Sequence, residues 1–152
     1  MYKKILFIIA SIFFLQQCGY TPIYSKNINK DLNIELVQFT GDRQINNALK
    51  YNLERYSNQN GKAKIFITTI TNYTKSAETK NLEGNITSYN ATSTVVFKIS
   101  YGQKESTFQF KEASTIKNKD NQLEEDSYEK SIKQNFAETI ANKLILKLLQ
   151  LK

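Results

Sequence analysis

Histidine and tryptophan are absent from this sequence, and cysteine, proline and methionine occur once each. Without imidazole there is no Ser-His-Asp or Cys-His chemistry and no ordinary zinc site. The lone cysteine, Cys18, has no partner for a disulfide within the chain. Glycine is scarce as well, and the single Gly-Lys pair, Gly61-Lys62, is not a phosphate-binding loop: Tyr56 stands where that motif needs its first glycine, and Ala63 where it needs a hydroxyl. The densest carboxylates, Glu124-Glu125-Asp126, sit where a helix is predicted to begin, so they read as cap and dipole partners rather than cation ligands. No pair of residues makes a catalytic site. The expectation is a protein that is not an enzyme, with no metal and no cofactor.

What is present is 152 residues, 40% hydrophobic and 23% charged, the balance of one globular domain. Lysine and arginine outnumber the acids 21 to 14, for a formal charge of +7. A basic excess favours anionic partners, although abundant lysine, asparagine and isoleucine also follow from an A+T-rich genome. Nucleic acid is not the expected partner, because the tyrosines and phenylalanines fall in phase with predicted strands, where packing is their ordinary role. The triplets beginning at Asn72, Asn85 and Asn90 match the glycosylation pattern, as chance allows in a chain this rich in asparagine and threonine.

The N-terminus reads as an export unit. Lys3 and Lys4 precede an apolar run from Ile5 to Leu15, and Cys18 follows three residues later. About 11 apolar residues are too few to span a bilayer of roughly 30 Å as a helix. Residues 1–17 are therefore expected to be a lipoprotein signal peptide and Cys18 the acylated first residue of the mature chain, although Gln17 stands where that pattern has a small residue. Acyl chains gain roughly 0.8 kcal/mol per buried methylene and would hold the protein to a membrane without a spanning helix. Residues 18–32, with the sole proline Pro22, read as lipid anchor and tether, leaving 33–152 as the domain.

Within that domain the hydrophobic periods give the order β-α-β-β-β-α. Asn33 to Thr40 reads as a strand with Ile34 and Leu36 on one face and Val37 and Phe39 on the other, hence as an interior strand. Asp42 is a predicted N-cap for a helix carrying Ile45, Ala48, Leu49, Leu53 and Tyr56. Ala63 to Thr74 is β-branched and strand-like, 75–85 reads as a polar loop, and Ile86 to Tyr101 alternates cleanly. Ser106 to Lys117 returns after a short connection. Asp126 and Glu129 suggest a capping box for a last helix with Tyr128, Ile132, Phe136, Ile140, Leu144 and Leu148 on one stripe. The expected fold is α+β, with two helices packed on one face of a four-stranded mixed sheet.

The run Cys18-Gly19-Tyr20-Thr21-Pro22-Ile23-Tyr24 resembles the mature start of the LPS-assembly lipoprotein LptE family, alphaproteobacterial type, and the amphipathic segment Tyr128 to Leu149 resembles its closing helix. The resemblance implies this same element order. It also implies a non-enzymatic outer-membrane lipoprotein of a Gram-negative bacterium that plugs and helps assemble the LptD β-barrel and assists lipopolysaccharide insertion at the cell surface. An outer-membrane lipoprotein serving another envelope partner, independent of LptD, is the alternative.

A right-handed crossover through the first helix makes the first two strands parallel. The segments after the second and fourth strands then share one end of the sheet, bringing Lys75 and Lys80 together with Lys117 and Lys119. These four lysines are the candidate contacts to lipopolysaccharide phosphates. Plain solvation, with Glu78, Glu83, Glu124 and Glu125 nearby, is the competing reading.

Overall fold

An alternating strand and a helix with a 3.6-residue stripe each expose one apolar surface, and the two meet here in a single interior. A computed structural model describes residues 32–119 and 121–150, so the signal peptide, Cys18 and nearly all of the tether lie outside the described residues. The elements are β1 (Leu32–Gly41), α1 (Arg43–Glu54), β2 (Ala63–Lys80), β3 (Ile86–Tyr101), β4 (Lys104–Lys117) and α2 (Gln122–Gln150). The strands lie in the order β1-β2-β3-β4; β1 is parallel to β2 and the other pairs are antiparallel. The expected α+β architecture and element order are therefore those of the molecule. No helix among the described residues is long and apolar enough to cross a membrane.

The core lies between the helices and one face of the sheet. Leu32, Ile34, Ile65, Ile67, Val95, Phe97 and Ile99 meet Ile45, Leu49 and Leu53 of α1 and Ile140, Leu144 and Leu148 of α2. Ala137 and Ala141 are also fully buried in this core, where their small side chains demand little room on the helix surface. A smaller cluster of Ala91, Ile116, Ile132 and Phe136 continues the interior toward the other end of the sheet. Among the described residues the opposite sheet face carries no helix and is rich in threonine, with Phe66 and Ile70 exposed on it.

Asp42 caps α1 as its sequence position suggests: its Oδ1 accepts a hydrogen bond from the Ile45 backbone N–H at 2.9 Å. Just before it, Gly41 has φ 102°, and a Cβ there would lie 1.8 Å from the carbonyl oxygen of Thr71. Only glycine lets β1 close on β2 at this point. Tyr56 lies past the end of α1 rather than on it, yet it still joins the layers, because its hydroxyl donates to Asn142 Oδ1 at 3.0 Å.

Three local expectations are corrected. β1 is an edge strand, not an interior one. Its register with β2 slips between Leu36 and Gln38, so Val37 bulges outward and Phe39 returns to the helix-covered face opposite Thr69. That single inserted residue produces the appearance of two apolar faces. β2 continues to Lys80 instead of ending at Thr74, so only 81–85 forms the turn. Finally, α2 starts at Gln122, ahead of the expected Asp126 cap. Asn121 is the capping residue, its Oδ1 accepting from the Leu123 backbone N–H at 2.9 Å.

Candidate functional site

Because β1 ends opposite Thr71, the last nine residues of β2 extend beyond it, paired only with β3. The extension is polar, and cross-strand hydroxyls hold it: Thr79 Oγ1 lies 2.6 Å from Thr87 Oγ1 and 2.7 Å from Ser88 Oγ. Amides close its tip. Asn81 Oδ1 accepts from the backbone N–H groups of Glu83 and Asn85, and Gly84, at φ 86°, completes the turn. Leu82 stands fully exposed there. Asn118 ties β4 to this end through Thr87 and Ile86 carbonyls at 2.9 and 2.8 Å.

The register places the four candidate lysines at this end, as the crossover argument requires. Lys80 is opposite Ile86, and Lys117 is opposite Ser88. Their environments divide them. Lys117 and Lys119 line an open groove of about 720 Å³ between the end of β4 and the first turns of α2, with Thr115, Glu124, Ser127, Tyr128 and Ser131. Neither lysine, nor Lys80, forms an ion pair among the described residues. Two ammonium groups, hydroxyls and the half-exposed Tyr128 ring can engage a phosphorylated amphiphile, charge to charge and ring to apolar surface.

Lys75 is different. It is a strand residue on the helix-covered face, and its Nζ lies 2.6 Å from Glu125 and 2.9 Å from Glu129, 4.5 Å from the centre of the Tyr89 ring. Glu129 also approaches Lys133 at 3.4 Å, and Lys133 pairs with Asp42 at 3.0 Å while lying 4.1 Å from the Tyr73 ring centre. This layer of alternating charge fastens the start of α2 to β2 and to the α1 cap.

The titration of its members follows from those contacts. Burial alone would raise Asp42, but the Ile45 N–H and Lys133 outweigh it and hold the carboxyl below its ordinary value. Glu129 is likewise lowered, burial being overcome chiefly by Lys75. For Lys75, burial pulls down while Glu125 and Glu129 pull up, and the net shift is upward. Burial and the neighbouring carboxylates Glu129 and Asp42 together push the Tyr73 phenol well above its usual range.

The sequence reading misses this layer and the part of Lys75 in it, although two signals point to it. Thr69, Thr71, Tyr73 and Lys75 continue the period-two phase of the buried face, and Glu125, Glu129 and Lys133 recur every fourth residue along α2. Of the three consecutive acids, Glu124 and Glu125 do occupy the first turn, where they suit the helix dipole, while Asp126 accepts from Gln122 Nε2 at 2.9 Å. No group of acidic residues suited to a metal ion occurs among the described residues.

No protein-family model matches this chain, and no curated protein sequence does either. Solved structures do. Rare lipoprotein B from Shewanella oneidensis superposes with a TM-score of 0.56 at 11% identity, covering 76% of this chain and 94% of that one. The solution structure of an uncharacterized lipoprotein B from Nitrosomonas europaea gives a TM-score of 0.53 at 12% identity, with 80% and 86% covered. At such identities the likeness is one of fold.

Proposed function

We propose that this chain is an outer-membrane lipoprotein of the LptE type, which plugs an LptD-like β-barrel, helps it assemble and assists lipopolysaccharide insertion without performing catalysis. The observation that carries this reading is a fold shared with bacterial lipoproteins, standing in the same chain as the lipobox cysteine Cys18 and the Cys18-to-Tyr24 motif. The basic end of the sheet supports it. In this reading Lys80, Lys117 and Lys119 meet lipid A phosphates, while Lys75 keeps the groove's helical wall in place.

Purification from detergent-solubilised outer membranes through a tag on this chain tests the proposal. A large β-barrel should accompany the chain in about one-to-one amount. Recovery of the lipoprotein with a different envelope protein and no barrel would favour the alternative reading, and mass spectrometry showing residues 1–17 still attached or a free Cys18 thiol would contradict the anchor.

A further inference from the structure

The two edges of the sheet are built differently. β1 is broken by the bulge at Val37, which interrupts any straight pairing along its free side. β4 instead pairs with β3 through 14 residues, Lys104 to Lys117, without a register shift. Among the described residues, β4 forms no backbone–backbone hydrogen bond outside the ladder with β3. A long unbroken edge of this kind is a template for a further strand.

Charge selects the strand that fits. β4 carries Lys104, Glu105, Lys111 and Glu112 within nine residues. A two-fold axis perpendicular to the sheet keeps all helices on one side and sets each residue of β4 opposite a residue of the same phase. With that axis at Phe108, Glu105 faces Lys111 of the second copy and Lys104 faces Glu112, each contact occurring twice. Moving the axis to Thr107 or Gln109 leaves all four charges opposite neutral residues, and moving it to Lys111 brings Glu105 opposite Lys117 but sets Lys111 against itself. Of these registers, the one about Phe108 sets opposite charges face to face with no like charges opposed.

We propose that the occupant of this edge is a second copy of the chain, paired antiparallel along β4 about Phe108 to form a continuous eight-stranded sheet. Glu105 and Lys111 are exposed and have no ion pair among the described residues, so they are free to fix the register. Glu112 already holds Lys143 of its own α2, which makes the Lys104 contact an addition to an existing pair. A nine-residue overlap is small beside a standard stable interface, so the dimer is weak and forms with rising concentration. This inference stands independently of the barrel and glycolipid reading.

Sedimentation equilibrium of the full chain in detergent micelles, at low salt with reductant and over about 1–500 µM, tests it. The wild-type chain should show a reversible monomer–dimer equilibrium. Glu105→Lys or Lys111→Glu turns two attractions into two repulsions and should weaken the dimer about tenfold or more. The double variant Glu105→Lys/Lys111→Glu restores opposite charges and should return the dimer to near its original strength. Monomer throughout the range, a dimer indifferent to both single reversals, or a double variant as weak as the singles would each overturn the proposal.

Discussion

The two ends of the domain are held together by different physics. At the end where β1 begins, Leu32, Ile34, Ile65, Ile99, Leu144 and Leu148 pack aliphatic surface against aliphatic surface. At the other, the apolar interior narrows to Ala91, Ile116, Ile132 and Phe136 and then gives way to the Lys75–Glu125–Glu129–Lys133–Asp42 layer, hydroxyl pairs and an amide-closed turn. Hydrophobic burial is non-directional and tolerates any close fit, whereas an ion pair withdrawn from water repays its desolvation only in good geometry. The first end is therefore built for stability. The second keeps charge near the surface, and Lys80, Lys117 and Lys119 there make no ion pair among the described residues.

The sharpest break between the ends should come from core truncation. Leu144, fully buried among both helices and the sheet, should cost about 2–5 kcal/mol when changed to alanine, read by chemical denaturation. Phe136→Ala, at the narrowing of the core, falls in the same class at about 3–5 kcal/mol. A normally stable Phe136→Ala that loses only its partner would move α2 from core to interface.

Lys75→Met should cost less, about 1–3 kcal/mol, because it leaves Glu125 without its cation while Glu129 retains Lys133. The same variant should disturb amide exchange protection at the start of α2 more than at Leu148. Equal loss at both places would mean that the charge layer is not a local fastening.

The pH dependence separates the ends without a core mutation. Asp42 and Glu129 are held below their ordinary values, so the unfolded chain binds more protons than the native one in mild acid. Their contribution is complete above about pH 5 and is lost as pH falls through the lowered native values. Lys75 works in the opposite sense: its raised value stabilises below the unfolded lysine range, near about pH 10, and is lost as pH rises through the native value. Asp42→Asn/Glu129→Gln should flatten the acid limb of a stability–pH curve. An unchanged acid limb would assign it to other carboxylates.

These differences explain which parts of the molecule could be read from its sequence. β3 and α2 were legible because period two and the i, i+4 stripe each continue for more than ten residues. β1 departs from its sequence pattern at one residue, the Val37 bulge, because an insertion in a strand shifts every later side chain to the other face. Residues 75–80 of β2 read as loop because their stabilising partners are hydroxyls and carboxylates from other segments, which leave no apolar period behind. For the same reason position along the chain groups Lys75 with Lys80, Lys117 and Lys119, whereas its ammonium pairs with Glu125 and Glu129.

Lipopolysaccharide binding by the full chain in detergent, compared with Lys80→Ser/Lys117→Ser/Lys119→Ser while Lys75 is kept, tests most directly the claim that one end holds the fold and the other receives an anionic lipid. These exposed residues make no ion pair among the described residues, so the triple variant should stay within about 0.5 kcal/mol of wild type in stability. It should also lose about tenfold or more of its affinity at low salt, as expected when several charge-assisted phosphate contacts are removed. Unchanged affinity in a stably folded triple variant would contradict the account.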